Sequence, residues 1–365
     1  MVDRKTAWVI LNMIEGIGPL RSEALLRYCG SPEAILELGE SGAREAGIPQ
    51  SVAVRLSKWK DLPWREELEC AAQKGISIIT QGDPDYPALL KELPDSPPVL
   101  YVKGKLLPNL YGVGIVGTRN PSSFGISMTS RFAFELARNK VAVISGLARG
   151  IDIIAHQAAL RARGVTVAVL GSGFNHLYPP EHAATAEKIA ESGAVITEFP
   201  LSISPNRGNF PRRNRIVSGL SKGVVIIEAG LRSGALITAG FAADQNREVW
   251  VLPTDAGRLR GRGNNLLLRQ GAFPVEEPSE ILEMLGIKAT SSKPSQQKLK
   301  ELLKKLEEKE MKIYLVLQKQ PMRFDEIVSA SLMSAAEIAQ IITSLEIKKM
   351  IRKNSEGLFS LEKLA

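Results

Sequence analysis

From Tyr111 onward the chain repeats one device: a short, uninterrupted apolar run that stops at small residues. The runs are Val113–Val116, Val141–Ile144, Val165–Leu170, Val195–Thr197, Val224–Ile227 and Glu248–Leu252. A strand with one wet face must alternate apolar and polar residues, because successive side chains point to opposite sides. Continuous runs instead predict parallel strands covered on both faces, and helix-length segments lie between them. The expected fold class is α/β: an extended Rossmann-like, doubly wound, mostly parallel sheet.

Other parts of the chain follow different patterns. Residues 1–75 read as a helical domain of short helices joined by small-residue turns. Within it Glu15-Gly16-Ile17-Gly18-Pro19, followed by Arg21-Ser22-Glu23-Ala24-Leu25-Leu26, resembles a helix-hairpin-helix (SAM-like) unit. In such a unit the glycines let backbone approach a phosphate; the same residues also suit an ordinary Gly-Pro turn between packed helices. A Pro-rich connector, Asp83 to Pro98, leads into the Rossmann-like domain, taken as 76–286. Residues 287–310 form a linker rich in Ser, Lys, Gln and Glu. Residues 311–365 predict helices at Lys312–Lys319, Arg323–Ser329 and Ser334–Lys349. A hairpin, Ile351–Lys353 and Leu358–Ser360, follows around Asn354-Ser355-Glu356-Gly357. Ser334 and Glu337 have capping-box spacing, and the whole looks like a winged helix.

Formal charge is +8, concentrated unevenly. Between Leu201 and Ala272 eleven Arg/Lys face four Asp/Glu; from Ile287 onward fifteen face ten. Basic charge gathered in one part of a fold implies a polyanionic partner, most often nucleic acid. The two cysteines, Cys29 and Cys70, form no CxxC pair, which argues against a zinc site or disulfide framework. With no signal-peptide pattern and no apolar run near membrane-spanning length, a cytoplasmic protein without a membrane partner is expected.

Gly112, Gly114 and Gly117 spell GxGxxG, but its glycines fall inside the first predicted strand, whereas a dinucleotide site needs them after it. No acidic residue ends the second strand to hold a ribose hydroxyl. No cofactor is expected. More telling is how the strands end: Gly117-Thr118-Arg119, Ser145-Gly146-Leu147-Ala148-Arg149-Gly150, Gly171-Ser172-Gly173, and Glu228-Ala229-Gly230-Leu231-Arg232-Ser233-Gly234. In a doubly wound sheet these turns gather outside the carboxyl ends of the strands, where exposed amides, helix N-termini and arginines favour anions.

Phe210-Pro211-Arg212-Arg213-Asn214-Arg215 places three arginines in four positions, with no carboxylate between Glu198 and Glu228. Guanidinium forks match phosphate oxygens. The run starts a helix, so residues 212 and 215 share a face while 213 points elsewhere, and one of them is expected to serve the fold. Asp152 and His156 also share a helix face; they fit acid–base work but better fit hydrogen bonds tying loops together. No Ser-His-Asp set, P-loop or metal-spaced carboxylate pair occurs, so binding rather than catalysis is expected, with no catalytic and no metal residues.

Together Gly117-Thr118-Arg119, Ser145 to Asp152 with Ala155-His156, Ala168 to Gly173 with Tyr178-Pro179, Phe210 to Arg215, Glu228-Ala229 and Ser233 to Ala239 resemble the DprA (Smf) DNA-processing protein family. The similarity runs in consistent order from Tyr86 to Phe273. It implies a non-enzymatic protein that coats single-stranded DNA, protects it, passes it to RecA recombinase in natural transformation, and forms homodimers through the Rossmann-like domain. It makes Arg119 a principal DNA contact. The candidate DNA-binding set is Gly117, Thr118, Arg119, Ser145, Gly146, Arg149, Gly150, Gly171, Gly173, Phe210, Arg212, Arg213, Asn214, Arg215, Arg232, Ser233 and Gly234. Two departures stand out: Gly-Thr-Arg replaces the family's Gly-Ser-Arg, and Pro180 and Glu181 follow Tyr178-Pro179 where a DNA-contacting lysine is usual. One competing function is a nucleotide-processing hydrolase using Glu228; another is a protein adaptor acting through the winged-helix-like tail.

Overall fold

In the computed structural model the described residues are 2–288, 303, 306–331, 333–348, 350–353 and 357–361, and the chain divides into two compact units, 1–289 and 290–365. Most of the expected linker, and Asn354-Ser355-Glu356 of the expected hairpin turn, lie outside the described residues.

The first unit is built on a nine-stranded sheet. Its strands are β1 (Ile76–Thr80), β2 (Val99–Gly104), β3 (Gly112–Val116), β4 (Ala142–Ser145), β5 (Thr166–Val169), β6 (Ala194–Thr197), β7 (Gly223–Ile226), β8 (Glu248–Val251) and β9 (Phe273–Pro274). In space they run β1-β2-β6-β5-β4-β3-β7-β8-β9. From β6 to β9 all pairings are parallel; β2 joins β6, and β1 joins β2, antiparallel. The six apolar runs each became a strand, because residues such as Val113, Val143, Val167 and Val225 are buried beneath helices on one face or the other. The edge strands β1 and β9, and β2 between β1 and β6, were not anticipated, although Val99–Val102 in β2 is itself an uninterrupted apolar run.

Gly112 and Gly114 lie within β3, as the sequence indicates. A Cβ on Gly112 would meet Ile144 Cδ1 at 2.6 Å, so this glycine serves close strand packing and not a dinucleotide. Helices follow the strands with orderly starts. Ser122 caps Ser123–Arg138 by accepting from the Gly125 amide at 3.1 Å, and Ser233 caps Gly234–Asp244 by accepting from the Ala235 amide at 3.3 Å.

The N-terminal segment folds as helices Arg4–Met13, Pro19–Cys29, Pro32–Leu36, Gly39–Glu45, Gln50–Ser57 and Trp64–Gln73. Trp8, Leu11, Leu25, Ile35 and Leu56 share a core with Ile76, Val99 and Tyr101, so these helices cover the antiparallel edge. Between the first two helices Gly16 takes φ +97°, a left-handed conformation suited to glycine. The Arg21 guanidinium turns back onto the Gly16 carbonyl.

In the second unit helices Glu308–Lys319, Phe324–Ser331 and Ala335–Ile347 precede a two-stranded ladder, β10 (Ile351–Lys353) and β11 (Phe359–Leu361). The expected capping box is present: Ser334 Oγ accepts from the Glu337 amide, and Glu337 accepts from the Ser334 amide. Three helices and a hairpin around Ile313, Leu317, Ile327, Ile338 and Leu345 form a winged helix. No single helix among the described residues is long and apolar enough to cross a membrane.

Candidate nucleic-acid interface

The turns after β3, β4, β5 and β7 meet at the carboxyl rim of the sheet and are bound to one another. Thr118 donates its amide to Glu228 O at 2.7 Å, and Ile151 donates to Thr118 O at 3.2 Å. Gly117 and Gly150 permit this closeness. A Cβ on Gly117 would meet Ile151 Cγ1 at 2.6 Å, and Gly150 holds φ +78° against the Thr118 carbonyl. The glycines Gly146, Gly171 and Gly173 are buried, as is Ser145, whose hydroxyl donates to Ile115 O at 2.6 Å. Space for a Cβ at Gly146 is taken by the Arg213 guanidinium, at Gly171 by the Phe210 ring, and at Gly173 by the Pro200 and Leu201 carbonyls. These turns are therefore small chiefly to admit neighbouring groups.

The arginine run opens the helix Asn209–Gly219 and divides sharply. Arg213 is buried, donating to the carbonyls of Gly146 and Val169, and through Nε to Asn214 Oδ1 at 3.1 Å. Arg215 is buried too. It donates to Glu198 Oε2 at 2.6 Å and to Asp95 O at 2.7 Å. Arg212 is 44% exposed and reaches the same Glu198 oxygen at 3.1 Å, so residues 212 and 215 do share a face. The run was expected to lack a carboxylate partner in its own segment; Glu198, at its upstream limit, pairs two of its arginines once the chain folds. Asn214 is half-buried, its amide reaching Gly234 O at 3.4 Å.

A buried charge knot fixes the centre of the rim. Asp152 accepts from the amides of Gly146 at 3.1 Å and Ala148 at 3.4 Å. Burial raises its carboxyl above the usual range, while Arg213 and those amides oppose the rise. Burial likewise lowers the Arg213 guanidinium to about 10, with Asp152 acting against the change and Arg119 adding to it. His156 is buried beside them and held at about 3 by burial first and by Arg213 second. Thr166 Oγ1 donates to Val143 O at 2.7 Å, so the His156 Nδ1 contact of 2.7 Å is a donation from the ring. Asp152 thus holds the turn after β4 and His156 ties its helix to β5, so both hydrogen-bond structurally as expected.

At the surface two exposed arginines flank a pair of half-buried rings. Arg149 lies 5.8 Å from the Tyr178 ring centre, Tyr178 and Phe210 are 5.9 Å apart, and Arg119 lies 5.5 Å from Phe210. Separately, Arg212 lies 5.1 Å from the ring centre of the buried Phe199. Arg119, Arg149 and Arg232 are exposed, as is Gly234, while Ser233 is half-buried. Arg149 is paired with Glu181 at 2.6 Å; that hydrogen bond raises the guanidinium and lowers the carboxyl. Tyr178 was not a candidate, nor were the exposed arginines Arg207, Arg258, Arg260 and Arg262. The surplus of basic residues between Leu201 and Ala272 was their only signal. Among the described residues no group of three or more His, Cys, Asp or Glu could hold a metal ion.

Fold and rim together define a class: a doubly wound α/β protein with an arginine-bearing carboxyl rim and an appended winged helix. The model of the DNA recombination-mediator protein A family matches residues 77–286, and that of the DprA winged helix domain matches residues 296–357. The chain belongs to this family of DNA-processing proteins. Protein Smf of Synechocystis is 32% identical over 94% of this chain and 95% of its own length. Protein Smf of Escherichia coli is 48% identical over 58% of each chain. Among solved structures, DNA processing protein A of Streptococcus pneumoniae superposes with a TM-score of 0.67 at 29% identity, covering 76% of this chain and 97% of that one. The Helicobacter pylori protein, whose structure is described as showing a unique single-stranded DNA binding mode, gives 0.52 at 31% identity, covering 57% and 95%.

Proposed function

We propose that this protein binds single-stranded DNA without regard to sequence, the phosphates tracking over Arg119, Arg149, Arg212 and Arg232. The observation that carries this proposal is the row Arg149–Tyr178–Phe210–Arg119, exposed at its arginines and half-buried at its rings. Guanidinium forks suit phosphates, and ring faces accept any base by stacking, so neither selects a sequence. The structural relative from Helicobacter pylori supports the choice of single strands. Gly117, Thr118, Gly150, Asn214 and Ser233 shape the turns that present these side chains. Ser145, Gly146, Gly171, Gly173, Arg213 and Arg215 hold the rim from within. No chemical step belongs to the proposal. Family membership further supports a cytoplasmic homodimer, divided as 1–75, 76–286, 287–310 and 311–365, that protects the strand and loads RecA recombinase in transformation.

The test is salt dependence. Each phosphate neutralised on a single strand contributes about −0.7 to the slope of log K against log salt. Arg119→Ala should flatten that slope by about 0.7 for every oligonucleotide alike, measured by fluorescence anisotropy from 50 to 300 mM salt (roughly the range where such slopes are read). An unchanged slope with unchanged affinity would remove Arg119 from the interface. RecA filament nucleation on coated oligonucleotides, and light scattering for dimers, check the remaining parts.

A further inference from the structure

Beside the rim lies a cavity lined by none of the proposed strand contacts. Strand order reverses between β3 and β7, since the chain leaves β3 through β4, β5 and β6 and returns to β7 on the other side. The carboxyl ends of strands at such a reversal diverge and leave a crevice for a ligand. Here the crevice is ≈ 540 Å³, within the range of small-ligand sites. Phe124 and Leu259 form apolar walls, 42% and 68% exposed; the Ser122 turn and Glu228 form the base, and Arg258 and Arg260 stand at the edge.

Each wall selects a chemistry. Glu228 is buried, and its Oε2 accepts the Ser122 amide at 2.7 Å. Its carboxylate already occupies the start of the helix Ser123–Arg138, so an anion is not drawn there. It calls instead for donors: sugar hydroxyls or a base amino group. Arg258 is paired with Asp255 at 2.9 Å, whereas Arg260 has no carboxylate within ion-pair distance among the described residues. A phosphate therefore fits Arg260. Phe124 and Leu259 present uncovered apolar surface suited to a planar ring. The helix that follows Arg260 is anchored to the turn after β7, because Asn264 accepts the Ala229 amide at 2.7 Å and Gly263 donates to Ala229 O at 2.8 Å.

We propose that this crevice holds one nucleotide unit, its base against Phe124 and Leu259, its sugar hydroxyls toward Glu228 and its phosphate on Arg260. The unit is either a free mononucleotide or a single residue of a bound strand. Glu228 favours ribose over deoxyribose in the first case. The site lies beside the strand-binding surface and shares no lining residue with it.

The experiment titrates the full chain with AMP and with dAMP by calorimetry, and with a labelled oligothymidylate by anisotropy. AMP is expected to saturate one site per chain. Arg260→Ala should weaken it about tenfold, as loss of a charged hydrogen bond does, and Phe124→Ala should weaken it severalfold. Both side chains are exposed, so folding is not at stake. Glu228→Gln should erase the preference for AMP over dAMP. Arg119→Ala should weaken the oligothymidylate but not AMP, which separates failure here from failure of the strand-binding proposal. If neither mononucleotide binds but both crevice variants weaken the oligothymidylate, the unit comes from the strand. The proposal is overturned if AMP binding survives both crevice variants, or is lost only in Arg119→Ala. It is equally overturned if no mononucleotide binds and both variants hold the oligothymidylate normally.

Discussion

Arg212, Arg213 and Arg215 sit within one helical turn and meet different fates. Arg212 keeps a half-exposed guanidinium, whereas Arg213 and Arg215 are buried against carbonyls and Glu198. Truncating one member of a buried charge network strands the others without a partner, at about 3–5 kcal/mol. Arg213→Ala should therefore lower stability by that amount in urea unfolding, with Asp152 left uncompensated. Arg119→Ala, at an exposed position, should stay within about 0.5 kcal/mol of the parent. His156 supplies a pH test. Its folded value near 3 lies below the ordinary histidine value of 6.5, so below pH 6.5 the unfolded chain takes up a proton that the folded chain refuses. The folded state is thus undisturbed above pH 6.5 and loses ground as pH falls toward 3, by about 1.4 kcal/mol per unit at the steepest. Between pH 6.5 and 5, above most carboxylate titrations, urea midpoints should drop by an equivalent of about 1.6 kcal/mol, and His156→Gln should shrink that drop.

Among the elements, the parallel strands were the easiest to foresee. Burial on both faces forces an uninterrupted apolar run, and each of the six runs lies within a residue or two of a strand. β2 carries the same mark in Val99-Leu100-Tyr101-Val102 but was passed over because it directly follows the Pro-rich connector, and β1 is broken by Ser77. They lie at the antiparallel end of the sheet, where the helices of the N-terminal segment, distant in sequence, supply the cover. The rim turns were legible as glycine-rich but not in purpose. Free amides for phosphate were expected, yet Gly146 is small because the Arg213 guanidinium, from a helix after β6, fills the space of its Cβ. Gly146→Ala should destabilise by about 1–3 kcal/mol, as overpacking does. It should also speed amide exchange at Ala148, whose partner Asp152 belongs to the same knot. Normal stability and exchange in that variant would contradict the packing role.

For the molecule as a whole, the division at residue 289 predicts modular behaviour. A chain ending at residue 288 should keep its thermal transition and its salt slope on oligonucleotides. A collapse of either would place the winged helix within the folding or binding unit. By itself the amino-acid sequence determined the α/β class, the capped start of the helix at Ser334, the family and the concentration of basic charge. All of these rest on local periodicity, capping and motif. It could not decide which arginines face solvent, because Glu198, Asp95, Gly146 and Val169 approach them only after the sheet is wound. Nor could it join Phe124, Glu228 and Arg260 into one crevice, since residues more than a hundred apart meet only where strand order reverses. Pattern along the chain fixes which faces must be buried; the pairing of strands distant in sequence decides which charged and aromatic groups remain to meet a ligand.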